Sequence, residues 1–179
     1  MASVKTARDI KIHVMQNFKG IKVSLPKLRK LAAATCSRFS SDDIRKNRSK
    51  AAKYEISITI VGNTQFRELN RRYLNRKSIS DCLSFDLSDN AEPDSSKLFE
   101  IIVNGELAVK QANLRGHSDQ AELALYVTHG LLHNLGFDDS TPGRARKMHQ
   151  IEDEILQHLG YGLVYNKNVK AQERKKTKK

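Results

Sequence analysis

Apolar side chains recur around most of the helical circumference between residues 121 and 135, and this feature constrains the fold most. Ala121, Ala124, Leu125, Leu131, Leu132 and Leu135 follow helical spacing, and Leu123 and Val127 lie outside any one narrow stripe. A helix that is apolar on most sides is buried rather than placed on the surface. We therefore predict a central helix, opened by a capping box of Asp119 and Glu122, around which the rest of the chain packs.

Strands and helices alternate along the rest of the chain. The patterns predict strands at residues 10–15, 21–24, 54–61, 82–87 and 98–103. They predict helices at residues 26–39 and 63–75, a short one ending near 115, and further ones at 119–135 and 142–160. Asn104-Gly105 is read either as a tight turn or as a bulge in an edge segment continuing to Val109, and residues 40–52 as a basic, Ser-rich loop.

This order of elements predicts an α/β (α+β) fold with one compact domain over residues 1–165. A few-stranded mixed sheet would pack with about five helices, and residues 166–179 would form a basic tail too charged to pack.

Two histidines at the end of the predicted central helix indicate a metal site. His129 and His133 are four residues apart and therefore share one helix face. Gly136 can end the helix in the left-handed conformation, and the chain would then bring Asp138 or Asp139 back to the two rings. Two nitrogens and one carboxylate with a coordination position left open are typical of catalytic zinc sites. We predict one Zn²⁺ per chain, at the end of the central helix.

The spacing matches the H-E-x-x-H-x-x-G-x-x-H signature of metzincins, with two chemical differences. Gly130 stands in place of the glutamate base, and Asp139 in place of the third histidine. Because glycine cannot act as a general base, peptidase activity is disfavoured. Two histidines and a carboxylate also suit Fe(II) oxygenases, but nothing in the chain resembles the all-β barrel expected around such a site.

Positive charge indicates a polyanionic partner. The formal net charge is +12, and residues 166–179 hold seven basic residues against Glu173, which is +6. Further basic clusters are Arg45, Lys46, Arg48, Lys50 and Lys53, and Arg71, Arg72, Arg76 and Lys77. Such patches suit nucleic acid, whose counterions are released on binding. Two isolated cysteines, no signal peptide and no apolar run long enough for a membrane span predict a cytoplasmic protein.

Four separated segments resemble one family, the YbeY rRNA-maturation endoribonucleases of bacteria. Residues 129–139 resemble its H-G-x-L-H-L-x-G-x-D-H signature. The other segments are Leu69-Asn70 with Tyr73 followed by residues 80–85, Gly105-Glu106-Leu107, and Met148, Glu152 and Ile155-Leu156. The resemblance covers about residues 55–160.

The resemblance implies a zinc-dependent, single-strand-specific endoribonuclease acting on the 3′ end of small-subunit (16S) rRNA and in ribosome quality control. His129 and His133 match two of the family's three histidine ligands, and Asp139 stands in the place of the third. Asp138 and Glu106 are candidates to orient a ring or the attacking water. The implied partner is rRNA in the small ribosomal subunit, without membrane or DNA, and the chain is expected to be a monomer.

One further departure leaves a rival interpretation. Leu74 occupies the position of the family's arginine after the tyrosine, a cation suited to stabilising charge on phosphate. Its loss and the presence of Asp139 favour the alternative of a non-catalytic, metal-binding ribosome-assembly factor that binds rRNA. Arg71, Arg72, Arg76 and Lys77 are the predicted contacts to the RNA backbone.

Overall fold

The computed structural model describes residues 10–45, 53–89 and 96–165, and these contain one mixed four-stranded sheet. Its strands lie in the order β1-β2-β4-β3, where β1, β2 and β4 are parallel and the edge strand β3 is antiparallel to β4. The strands are β1 (Ile10–Gln16), β2 (Tyr54–Val61), β3 (Cys82–Asp86) and β4 (Lys97–Asn104).

Five helices cover the sheet within the described residues. They are α1 (Leu25–Arg45), α2 (Asn63–Leu74), α3 (Gly105–Arg115), α4 (Asp119–Asn134) and α5 (Pro142–His158). The main core joins one sheet face to side chains of α1, α3, α4 and α5, and a smaller core places Phe66 of α2 against Val61, Leu83 and Ile102 on the other face. The predicted fold, a single domain with a mixed sheet and five helices, is confirmed.

Helix α4 is the central helix that the apolar pattern predicted. Eleven of its sixteen residues are buried, all between Ala121 and Leu132. Its start differs from the prediction, because Ser118 rather than Asp119 is the N-cap and accepts a hydrogen bond from the backbone N–H of Ala121. Glu122 takes no part in capping: its side chain is fully buried and contacts Arg115.

Two other predictions about local structure are corrected. Residues 21–24 form no strand. Helix α1 continues to Arg45 instead of ending near residue 39, because the chain from Lys27 to Arg45 contains neither the glycine nor the proline that would end it.

The segment at Asn104 is neither a hairpin turn nor a bulge. Strand β4 ends at Asn104, whose side-chain oxygen accepts a hydrogen bond from the N–H of Leu107 at 3.0 Å. This N-cap starts α3 directly at Gly105, so the predicted edge segment through Val109 is helical.

Several predictions fall outside the described residues. These are the basic tail at 166–179, the N-terminal part of the predicted domain, and the cations at positions 46, 48 and 50. Over the residues that are described, no helix combines the length and apolar content needed to cross a membrane.

Candidate metal centre

The end of α4 turns the chain back toward its own last turn, as the position of Gly136 predicted. Gly136 has a φ of 90°, in the left-handed region that glycine adopts without strain. Its N–H donates to the carbonyl of His133, and the N–H of Phe137 donates to the carbonyl of Leu132, each at 2.9 Å. These two bonds are the Schellman motif, and they direct the following residues toward the histidine face of α4.

Three of the predicted ligands come together at this turn. The Nε2 atoms of His129 and His133 are 3.0 Å apart. One carboxylate oxygen of Asp139 lies 3.7 Å from His129 Nε2, and the other lies 3.9 Å from His133 Nε2. Tetrahedral ligands at about 2.0–2.1 Å from a zinc ion lie roughly 3.3 Å from one another, so the spacings are close to those of a metal site.

Hydrogen bonds at the far side of each ring fix which nitrogen carries the proton. His129 Nδ1 lies 2.7 Å from the carboxylate oxygen Oε1 of Glu152, and His133 Nδ1 lies 3.1 Å from the backbone carbonyl of Phe137. Both partners are acceptors, so both Nδ1 atoms donate, and in the neutral rings the two Nε2 lone pairs face each other. Two nitrogen lone pairs 3.0 Å apart repel each other unless a proton or a metal ion lies between them, so this donor set fits a metal ion.

Glu152 is a functional residue that the sequence did not reveal by spacing. Its side chain is fully buried on α5, and its second oxygen accepts a hydrogen bond from His149 Nδ1 at 2.8 Å. Burial opposes the charge, but the hydrogen bonds from His129 and His149 prevail and lower the pKa of Glu152. Burial likewise works against protonation of His129, yet the Glu152 hydrogen bond outweighs it and raises the pKa of His129.

Asp138 and Glu106 lie in other hydrogen-bond networks. Asp138 accepts hydrogen bonds from the backbone N–H and the hydroxyl of Ser140 and from Arg144, and these bonds lower its pKa to about 2. Glu106 accepts a hydrogen bond from the N–H of Asn63 at the start of α2. The two ring-orienting contacts therefore come from Glu152 and Phe137 instead of from Asp138 or Glu106.

The predicted RNA-binding cations lie on α2 and just after it. Arg71 pairs with Glu68 at 2.7 Å, while Arg72, Arg76 and Lys77 are exposed. Leu74 is 45% exposed at the end of the same helix, so it is not a core packing residue. A cavity also opens beside His129. The arginine that lines it is none of these predicted cations but Arg115, at the end of α3.

Gly130 allows α4 to approach the sheet. A Cβ atom placed there would lie 3.0 Å from Ile101 Cγ2 and 3.3 Å from Cys82 Sγ. Both distances are tighter than usual contacts between such atoms, so a larger side chain at position 130 would require the neighbouring side chains of β3 and β4, or the helix, to shift.

Comparison with known proteins identifies one family. The family model described as "Endoribonuclease YbeY" matches residues 15–160. The chain is similar to the protein named Endoribonuclease YbeY of Moorella thermoacetica, with 37% identity over 118 residues that cover 62% of this chain and 76% of the relative. It is also similar to the protein of that name in Lysinibacillus sphaericus, with 34% identity over 116 residues, covering 60% of this chain and 74% of the relative.

The same fold occurs in a solved structure. The solution structure of TM1509 from Thermotoga maritima matches with a TM-score of 0.51 at 19% identity, covering 82% of this chain and 90% of that chain. Because the family model spans most of the chain, with the turn that joins His129, His133 and Asp139 inside the matched range, the chain belongs to the Endoribonuclease YbeY family.

Proposed function

We propose that this chain is a metal-dependent endoribonuclease whose zinc ion is held by His129, His133 and Asp139. The observation that carries the proposal is the pair of Nε2 lone pairs that face each other at 3.0 Å with a carboxylate beside them. Each ring is fixed from behind by an acceptor, as metal-ligating histidines generally are. The family's name supplies the substrate class, RNA.

The residues around the site have distinct tasks. A divalent metal bound here supplies a Lewis acid for the phosphoryl oxygen and a water of lowered pKa. Glu152 holds the His129 ring in one tautomer, and the Phe137 carbonyl does the same for His133. Asp139 is 39% exposed and brings a negative charge where the family has a neutral histidine, so the metal retains less net charge.

The basic surface would bind the substrate through its phosphates. Arg72, Arg76 and Lys77 are exposed, and the chain carries a net charge of +12. Contacts to phosphate position RNA without reading its sequence. We propose that the substrate is single-stranded RNA at the 3′ end of small-subunit rRNA, not DNA, and that the protein acts in ribosome quality control. We further propose that it is a monomer located in the cytoplasm.

The experiment measures metal content and RNA cleavage together. Wild type should contain about one zinc ion per chain and cut a single-stranded RNA in a chelator-sensitive manner. His129→Ala, His133→Ala and Asp139→Ala should each lose metal and cleavage, since each removes one of three protein ligands. His13→Ala is the matched control, because His13 lies on β1 with a side chain that is 68% exposed. Metal content unchanged in all three ligand variants would overturn the proposal.

The rival function is a metal-binding assembly factor that binds rRNA without cutting it. Leu74 favours it, because an exposed apolar side chain stands where the family has a cation. In that case wild type would bind RNA but not cut it, and Asp139→His combined with Leu74→Arg would gain cleavage. For a working nuclease, Asp139→His alone should keep or raise activity and shift the rate profile to lower pH, because a neutral ligand leaves more charge on the metal.

A further inference from the structure

A cavity of about 240 Å³ opens beside His129, and neither Asp138 nor the cations of α2 line it. Its walls include Asp81, Gln111, Arg115, Tyr126, His149 and Tyr165. This volume is below the roughly 300–1,000 Å³ of pockets for drug-sized ligands, so it suits one small planar group. Glu152 also lines it, so the cavity adjoins the metal centre directly.

The charges on the walls disfavour a phosphate in this cavity. Two carboxylates, Asp81 and Glu152, line it. The guanidinium of Arg115 is compensated, because its Nη1 lies 2.8 Å from an oxygen of the fully buried Glu122. Glu152 is shared by His129 and His149, so each basic side chain on the walls already faces a carboxylate, and the walls suit an uncharged group with hydrogen-bond donors and acceptors better than a phosphate.

An aromatic pair forms one wall of the cavity. The rings of His149 and Tyr165 are stacked, with centroids 3.5 Å apart and planes inclined by 14°. The ring of His149 and the backbone of Tyr165 are each held by hydrogen bonds. His149 donates to Glu152, and the backbone N–H groups of Val164 and Tyr165 both donate to one oxygen of the buried Asp153, at 3.1 Å and 3.0 Å. A fixed aromatic wall beside polar side chains is how proteins hold unpaired bases.

We propose that this cavity binds a single unpaired nucleobase of the RNA, next to the phosphate that reaches the metal centre. The base packs against the His149–Tyr165 pair, and Asp81, Gln111 and Arg115 contact its polar edge. The inference rests on the proposed function, and it supplies a reason for preferring single strands: a paired base cannot enter the cavity without leaving its helix.

The first test uses free ligands and the full-length chain. The four ribonucleosides are titrated while the ring-proton signals of His149, which stacks on Tyr165 and is present in every variant, are followed by NMR, with ribose 5-phosphate as the ligand that lacks a base. At least one nucleoside should bind and shift these signals, and ribose 5-phosphate should not. Tyr165→Leu should abolish nucleoside binding, and Tyr165→Phe, which keeps the ring, should retain it. Binding of ribose 5-phosphate with equal affinity, or equal nucleoside binding by Tyr165→Leu, would overturn the proposal.

The second test uses RNA cleavage. A single abasic ribose beside the cleaved bond should raise KM about fivefold to a hundredfold, the range that loss of one stacked base produces. Tyr165→Leu should raise KM for the intact RNA by a similar factor. On the abasic RNA the same substitution should raise KM little further, because both changes remove the same contact. An unchanged KM on the abasic RNA contradicts the base pocket.

The two proposals fail separately. If wild type cuts RNA but no base dependence appears in either test, the nuclease assignment stands and the pocket assignment falls. If nucleosides bind in a manner that depends on Tyr165 while wild type cuts no RNA, the pocket stands and the nuclease assignment falls.

Discussion

Glu152 and Glu122 are both fully buried carboxylates that face histidines, but the protein treats them in opposite ways. Glu152 accepts a hydrogen bond at each oxygen, at 2.7 Å and 2.8 Å, and its pKa is lowered. At Glu122, Arg115 bonds one oxygen, while the other lies 2.9 Å from His117 Nε2 outside hydrogen-bond geometry. Burial raises the pKa of Glu122 despite the opposing charges of Arg115 and His117.

The difference shows that hydrogen-bond geometry, and not burial alone, decides whether a buried carboxylate stays ionised. Glu152, whose pKa is lowered, bonds the ring of His129, a proposed metal ligand. Glu122 lies about two helix turns before His129 on α4. Its contact with Arg115 joins the end of α3 to α4. We therefore expect Glu152 to govern metal binding and Glu122 to govern stability.

The largest expected effect is on metal affinity. Glu152→Ala removes the acceptor that fixes the His129 tautomer, and zinc affinity should fall about tenfold to a hundredfold. In Glu152→Gln the zinc affinity should fall less, because the amide oxygen can still accept a hydrogen bond from His129 Nδ1. Competition with a chromogenic chelator measures both. Glu122→Ala is the matched control, and an equal loss of affinity there would remove the distinction between the two glutamates.

The next effect is on stability. Glu122→Ala should lower the free energy of unfolding by about 1–3 kcal/mol, because it deletes a hydrogen bond to a charged partner at the junction of α3 and α4. Metal content should stay near one ion per chain. Urea unfolding of the full-length protein checks the first part, and metal analysis of the same sample checks the second.

A smaller effect on stability should follow when one oxygen of Glu152 loses its hydrogen bond, as one oxygen of Glu122 lacks one in the wild type. His149→Ala leaves one buried oxygen of Glu152 without its hydrogen-bond donor. The free energy of unfolding should therefore be about 1 kcal/mol lower than in wild type. Zinc affinity should drop by less than in Glu152→Ala, since the bond to His129 remains. An affinity as low as that of Glu152→Ala would mean that His149 acts on the metal directly.

The smallest expected effect is a change in pH dependence. Because the folded-state pKa of Glu122 is raised, the folded protein holds this proton to higher pH than the unfolded chain does. Its ionisation therefore costs stability progressively as pH rises from about 4.5 toward the folded-state pKa, and the cost is constant above it. Glu122→Gln should remove this slope, so its stability relative to wild type should increase with pH across that window. Parallel unfolding curves at pH 4 and pH 7 would contradict the raised pKa.

Local signals in the sequence were sufficient for part of the site. His129, His133 and Gly136 follow from helix periodicity and a glycine that ends the helix, and each depends on neighbours within one or two turns. Glu152 and His149 could not be found in this way, because α5 meets α4 only in the folded chain. Helix periodicity also left Asp138 and Asp139 as alternatives, because it does not predict that Ser140 and Arg144, two and six residues further along the chain, bond to Asp138.

Errors in predicting the fold have a similar origin. Polar composition after Phe39 suggested a loop, but a polar stretch without glycine or proline continued as the end of α1. Asn104-Gly105 has the composition of a hairpin turn, and the same asparagine is equally suited to capping a helix. Only the partner of its side chain, the N–H of Leu107, distinguishes the two.

The contacts of Gly130 restrict which reactions this helix can acquire through mutation. Metallopeptidases that use the same histidine spacing carry their general base at this position. Here the space for such a side chain is taken by Ile101 of the sheet and by Cys82. A glutamate at position 130 would have to shift the side chains of Ile101 on β4 and Cys82 on β3, and β4 lies between β2 and the edge strand β3. The packing of α4 against β3 and β4 is therefore an obstacle to a general base at this position, and it adds to the chemical difference between this site and that of a metallopeptidase.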